Sequence, residues 1–444
     1  MVFSSNLFLF YFLPIVLIVN LLLPKRYRNL WLLIASLFFY AWGEPIYIFL
    51  MLATIIVNFI AGLYIKYHPE NKKAALIISS IFCLGTLFFF KYMHFITSTF
   101  GINIAKLALP LGISFYTFQT LSYTIDVYRG RVEATSSLVD FALYVVSFPQ
   151  LIAGPIVKYI DVHKELKDRK SDLETYADGF EIFLQGLFLK VLLANPMGDA
   201  FNLVEFSNTT GLLALFKLAC YTFQIYFDFA GYSKMAIGLG KMLGFNFPEN
   251  FNYPYTSKSV TEFWTRWHIT LSSWFKEYIY IPLGGNRVKI GRHIFNLLVT
   301  WTLTGLWHGA NFNFLIWGFY YFLILTIEKY ILKSILNKLP NFICFIYTII
   351  VVAIGWLIFI AEDLSIIGDF FKSLFTSPFI DVRSLSILLQ YLLLFIIAIL
   401  FSTDIPKRIY NRLKSSYFLL IPLFILAVAM IVTGSFNPFL YFRF

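Results

Sequence analysis

Residues 342–361 read FICFIYTIIVVAIGWLIFIA, twenty positions without one charged side chain. A helix of about 20 apolar residues crosses the hydrocarbon core of a bilayer. A transmembrane barrel strand would alternate apolar and polar residues, and this run does not alternate. Working outward, eleven further runs read as spans: 7–23, 30–43, 46–65, 74–92, 107–127, 178–194, 211–230, 293–309, 313–328, 385–402 and 416–433. The run 30–43 is short and reads as tilted or partly interfacial. Two more stretches, 138–158 and 262–283, are interrupted by polar residues and Pro and read as re-entrant or interfacial segments. The expected fold is an all-α polytopic membrane protein of about 11–12 spans.

Composition agrees. Of 444 residues, 59% are apolar and 13% charged, against about 45–50% and about 25% in soluble domains. Composition therefore weighs against a water-soluble enzyme. The net charge of +11 does not point to nucleic acid, because the cations sit between apolar runs, where they set topology. Basic loops (Lys25, Arg26, Arg28; Lys66, Lys72, Lys73; Arg129, Arg131; Lys164, Lys167, Arg169, Lys170; Arg287, Lys289, Arg292; Lys329, Lys333, Lys338; Lys407, Arg408, Arg412, Lys414) alternate with acidic or neutral ones. The positive-inside rule puts the N-terminus and about the last twelve residues outside. No Lys or Arg precedes the first run, so it reads as a span and not a cleaved signal. No repeat, low-complexity tract or linker divides the chain, and 1–444 reads as one membrane domain with an extracytoplasmic tail at 435–444. Cys83, Cys220 and Cys344 lie in apolar runs without CxxC spacing and suggest neither a disulfide framework nor a zinc site.

Of six histidines, His68, His94, His163 and His293 lie in or beside loops. His308 closes an apolar run in Leu303-Thr304-Gly305-Leu306-Trp307-His308-Gly309-Ala310. A titratable group at membrane depth is a functional candidate. The small neighbours leave room for a substrate, and a core histidine bonded to a neighbouring helix remains equally open on physical grounds. His268 lies in 263–278, FWTRWHITLSSWFKEY. Read as one helix, this stretch puts Trp264, Trp267, His268, Leu271, Trp274, Phe275 and Tyr278 on one face, with His268 able to point at His308. Gln119 and Asp228 also fall inside apolar runs. Asp228 could orient a histidine or pair with Lys234, or simply tie helices together. Gly238, Gly240 and Gly244 do not form GxGxxG, and neither GxSxG nor HExxH occurs. The C-terminus, 435–444 SFNPFLYFRF, is almost wholly aromatic where a free end should be polar. It reads as a segment that buries itself in an outward cavity, with Tyr441 carrying a hydroxyl there, or as an aromatic-belt anchor.

The blocks Ser114–Gln119, Phe148–Ile156, Ile225–Lys234, Phe263–Arg287 and Leu303–Ala310, with the tail, resemble the membrane-bound O-acyltransferase (MBOAT) family, in its bacterial alginate and peptidoglycan O-acetyltransferase branch. The resemblance covers most of the chain, and the Trp-His-Gly element is its most specific part. It implies a ring of helices around a thin centre, with a cytoplasmic opening and an extracytoplasmic funnel. It further implies acetyl transfer from cytosolic acetyl-CoA to an extracytoplasmic polysaccharide, peptidoglycan or alginate-like, with no metal. His308 matches the family's essential histidine and His268 its second polar position. Tyr441 resembles the acyl-accepting tyrosine of the related D-alanylation system, there on a separate small protein. The implied partners are a soluble or periplasmic SGNH-type acetyltransferase, the polysaccharide acceptor and membrane lipid, in the bacterial cytoplasmic membrane. Competing readings are D-alanyl transfer to teichoic acid, a lipid or ion transporter using His308 and Asp228 as a proton relay, and a docking subunit without chemistry.

Overall fold

The computed structural model describes residues 1–444 apart from Asn103, Lys106, 413–416, 435–438 and 441–444. The described elements are helical, and no strand occurs among them. Each of the twelve apolar runs contains a helix. Among the described residues, six helices are long and apolar enough to span a membrane: Ile48–Tyr67, Lys72–Lys91, Gly211–Met242, Phe312–Leu336, Asn341–Ile360 and Val382–Phe401. Phe8–Leu22 and Phe418–Thr433 are shorter apolar helices. Large apolar side chains cover their outer faces; Leu393, for example, is 68% exposed. Water would penalise such a surface, whereas lipid does not. The protein is a multi-pass membrane protein.

The chain divides into two compact units. The first comprises Met1–Gly186 and Tyr232–Glu249; the second comprises Leu187–Gly231 and Asn250–Phe444. In the first unit, polar side chains join three helices. Asn58, on Ile48–Tyr67, uses Oδ1 to accept from Ser79 Oγ at 2.8 Å and Thr124 Oγ1 at 2.9 Å. Its Nδ2 donates to the Thr54 carbonyl at 2.8 Å. Such bonds add to van der Waals packing where lipid supplies no hydrophobic drive between helices. The run 107–127 becomes helical only from Ile113. Pro110 and the left-handed Gly112 (φ 73°) delay it, and a Cβ at Gly112 would lie 2.6 Å from the Leu151 carbonyl oxygen. The stretch 138–158 breaks into Leu138–Val146 and the single turn Phe148–Leu151, with Ser147 between them in non-helical backbone (φ −49°, ψ 111°).

In the second unit, Ile290–His308 and Phe312–Ile327 form a close helical pair. A Cβ on Gly305 would stand 2.2 Å from the Phe314 carbonyl oxygen, and one on Gly318 would stand 2.4 Å from that of Trp301. Only glycine allows these backbones to approach so closely. The first helix ends at His308; Gly309 is extended, and Asn311 Oδ1 accepts the Phe312 N–H at 2.6 Å to start the next helix. His308 is thereby fixed at a tight reversal.

The expectation of one continuous helix over 263–278 is corrected. Val260–Arg266 and Ile269–Phe275 are separate helices, followed by a π-helical turn at Lys276–Tyr280. Trp267 is extended and His268 is left-handed at φ 44°. A neighbouring segment supplies the cause, which periodicity does not register: the Asn250 carbonyl accepts the Ile269 N–H and the Asn252 N–H donates to the Arg266 carbonyl, each at 2.9 Å. These bonds replace the helical ladder across the break.

Candidate active site

His268 and His308 both lie in the second unit and both are buried. They flank Trp307, whose ring centroid is 6.0 Å from that of His268 and 5.1 Å from that of His308. Trp317 and Phe359 meet the His308 ring edge to face at 5.0 and 5.2 Å. The stripe aromatics that share its segment turn toward protein: Trp264 packs on Trp301 and Tyr321, and Trp267 on Trp356. Aromatic walls of this kind exclude water and strengthen any hydrogen bond made inside them.

The local backbone sets the chemical form of His268. Asn250 Oδ1 accepts the Thr270 backbone N–H at 3.3 Å and the Thr270 hydroxyl at 2.8 Å. An amide N–H can only donate, so this atom of Asn250 is the oxygen. His268 Nδ1 lies 2.9 Å from the same oxygen and therefore carries the proton. In the neutral ring Nε2 then bears the lone pair, and it has no hydrogen-bond partner among the described residues. A left-handed non-glycine residue costs about 1–3 kcal/mol, and such strain collects at functional sites. The result is an imidazole with Nδ1 fixed as a donor and Nε2 buried without a hydrogen-bond partner among the described residues.

Of the alternatives the sequence left open for Asp228, the structure holds a pair between helical elements, made with Lys190 and not with Lys234. Asp228 Oδ1 lies 2.5 Å from Lys190 Nζ, with both side chains buried. Lys234 instead donates to Gln185 at 3.1 Å. Six helical positions separate Asp228 from Lys234, about 240° around the axis, so the two point apart. Asp228 Oδ2 accepts the Leu440 backbone N–H at 2.7 Å. Phe229, next along the helix, meets the His268 ring edge-on at 4.6 Å and the Phe439 ring at 5.6 Å. One phenyl ring thus separates Phe439 from His268. Tyr441 follows immediately in sequence and lies outside the described residues.

Sequence reasoning passed over Asn250 and Lys190. Asn250 gives no signal, being one polar residue in a Pro- and Asn-containing loop. Lys190 gives a clear one, a single cation inside the run 178–194, and such groups are functional candidates by default. It also sits in a π-helical turn, Leu189–Ala194, a geometry common at functional sites. Among the described residues no three His, Cys, Asp or Glu side chains assemble in a way that could hold a metal ion.

These features define a polytopic helical membrane protein with two buried imidazoles in one aromatic cluster. Residues 71–368, which include both histidines, match the membrane-bound O-acyltransferase family; the chain belongs to that family and is an acyltransferase. It is 44% identical over 391 residues to the probable alginate O-acetylase AlgI of Pseudomonas aeruginosa, covering 85% of this chain and 75% of that protein. It is 34% identical over 409 residues to the peptidoglycan O-acetyltransferase of Helicobacter pylori, covering 82% and 78%. A teichoic acid D-alanyltransferase of Bacillus subtilis is 29% identical over 240 residues, covering 50% and 60%.

Proposed function

We propose that the chain is a membrane O-acetyltransferase that draws acetyl from cytosolic acetyl-CoA and delivers it outward for O-acetylation of an extracytoplasmic polysaccharide, peptidoglycan or alginate-like. The observation that carries this reading is the buried, single-tautomer His268, set between Trp307-His308 and the held chain end. The names of the two acetyl-transferring relatives support acetyl as the cargo.

A tyrosine hydroxyl, with an ordinary pKa near about 10, is a weak nucleophile at neutral pH. In the proposed step, His308 takes the single proton of the Tyr441 hydroxyl as general base, with the His268 ring beside it as the second polar group of the site. The phenolic oxygen bonds to the thioester carbonyl carbon, the C–S bond breaks, and the departing thiolate recovers the proton from His308. The products are free CoA and an acetyl ester on Tyr441. The ester carries the cargo outward while the charged donor stays on the cytoplasmic side. A soluble SGNH-type acetyltransferase then collects the group and passes it to the polymer. This requires the chain to sit in a bacterial cytoplasmic membrane as one domain, with both termini outside.

Polymer acetylation in cells tests both parts. His308→Ala is expected to abolish it, and full activity in that variant removes the enzymatic role of this site. Tyr441→Phe is expected to abolish it as well, and full activity there removes the relay.

The half-chain similarity to a D-alanyltransferase favours one second reading, D-alanyl as the cargo. The mass of the group carried on the chain separates the two: acetyl supports the first reading and alanyl the second.

A further inference from the structure

A buried ion pair rarely stabilises a protein more than apolar residues of the same shape would, because both charges lose their water. Lys190 and Asp228 nevertheless form one inside the second unit. The π-helical turn at Lys190 departs from the regular helical ladder as well. The second carboxylate oxygen gives the arrangement a use that apolar residues lack. It accepts the main-chain N–H of a residue 212 positions away, Leu440, at 2.7 Å. The neighbouring Phe229 bears on the buried Phe439 ring. Two consecutive residues of one helix therefore hold two consecutive residues of the chain end. Hydrogen bonds to ionised groups are about twice as strong as neutral ones.

We propose that Asp228, charge-compensated by Lys190, is a positioning residue that latches the chain end through its main chain and so presents residue 441 to the two histidines. The purpose of the latch rests on the acyl-relay reading given above. Its existence does not, and the two are tested by separate readouts. Because the latch reads a backbone N–H, it holds the segment alike whether the next side chain is free or acylated. Such holding turns an encounter into an intramolecular step with a high effective concentration.

The test uses the full-length chain in lipid nanodiscs, with Phe442→Cys as a reporter for an aqueous maleimide. The native cysteines Cys83, Cys220 and Cys344 are all buried, which limits background labelling. Two variants break the latch from opposite sides. Leu440→Pro removes the donor N–H and leaves the ion pair. The double variant Lys190→Met with Asp228→Leu removes the acceptor without leaving a charge unpaired, so the fold is kept. Both are expected to speed labelling of residue 442 by about tenfold, the loss of one charge-assisted hydrogen bond. The single-turnover rate constant of self-acetylation at saturating labelled acetyl-CoA, which does not depend on the fraction of chain that is folded, should fall by a similar factor with the half-saturating donor concentration unchanged. Unchanged labelling in both variants overturns the latch. Faster labelling with undiminished self-acetylation overturns its positioning role. Normal acetyl transfer by Tyr441→Phe, with labelling still latch-dependent, overturns the relay reading and leaves the latch standing.

Discussion

Two buried polar clusters in this protein are built to opposite rules. Around Asn58 the side-chain oxygen takes two hydroxyl protons and the amide nitrogen reaches a carbonyl, so the cluster is closed on itself. Its backbone is regular helix throughout. Around His268 the backbone is broken and left-handed, one ring nitrogen is tied down, and the other is buried without a partner among the described residues. Nearby, a charged pair is spent on a main-chain N–H from the chain's end. Both clusters sit among apolar side chains, where an unmade hydrogen bond is costly. The closed cluster holds helices together. The open one keeps unused capacity, which is what a reacting group needs.

The largest expected effect is at the open cluster. A general base, the role proposed for His308, contributes about 10²–10⁴-fold, so His308→Ala should lower acetyl transfer by about a thousandfold while the protein still folds in membranes; single-turnover assays with labelled donor check this. Asn250→Ala comes next. It releases Nδ1 of His268 and the Thr270 bonds, and should cost about tenfold or more in transfer, with Asn250→Asp retaining more activity because its oxygen still accepts. If Asn250→Ala were silent, the fixed tautomer would play no part. Gly305→Ala probes the link between packing and chemistry. Its Cβ would crowd the Phe314 carbonyl, costing about 1–3 kcal/mol of stability by overpacking, and should lower both thermal stability and transfer because His308 is displaced. Ser79→Ala, in the closed cluster, marks the small end. It should cost about 0.6 kcal/mol and leave acetyl transfer per folded molecule unchanged. Loss of transfer there would erase the distinction between the clusters.

The sequence carried much of this. Apolar run length made the helical membrane class legible, because a span needs little beyond about 20 apolar residues. The same reasoning singled out His308 and Asp228, since ionisable groups at that depth stand out. It misread 263–278, where the periodicity of Trp264, Trp267, Leu271 and Trp274 fits a single helix. The break is imposed by Asn250 and Asn252 through main-chain bonds, and a backbone pairing leaves no mark on side-chain pattern. Lys190 could have been found by the rule that found Asp228. Its pairing with Asp228, and the bond of Asp228 with Leu440, depend on segments far apart in the chain and emerge only in three dimensions.

The central claim is that acetyl passes at the histidine pair onto the chain's own end. Purified full-length protein incubated with isotope-labelled acetyl-CoA, then digested and mapped by mass spectrometry, tests it most directly. Label on Tyr441 in the native chain, absent from His308→Ala, is the predicted result. Label on any other residue, or on Tyr441 irrespective of His308, would contradict it.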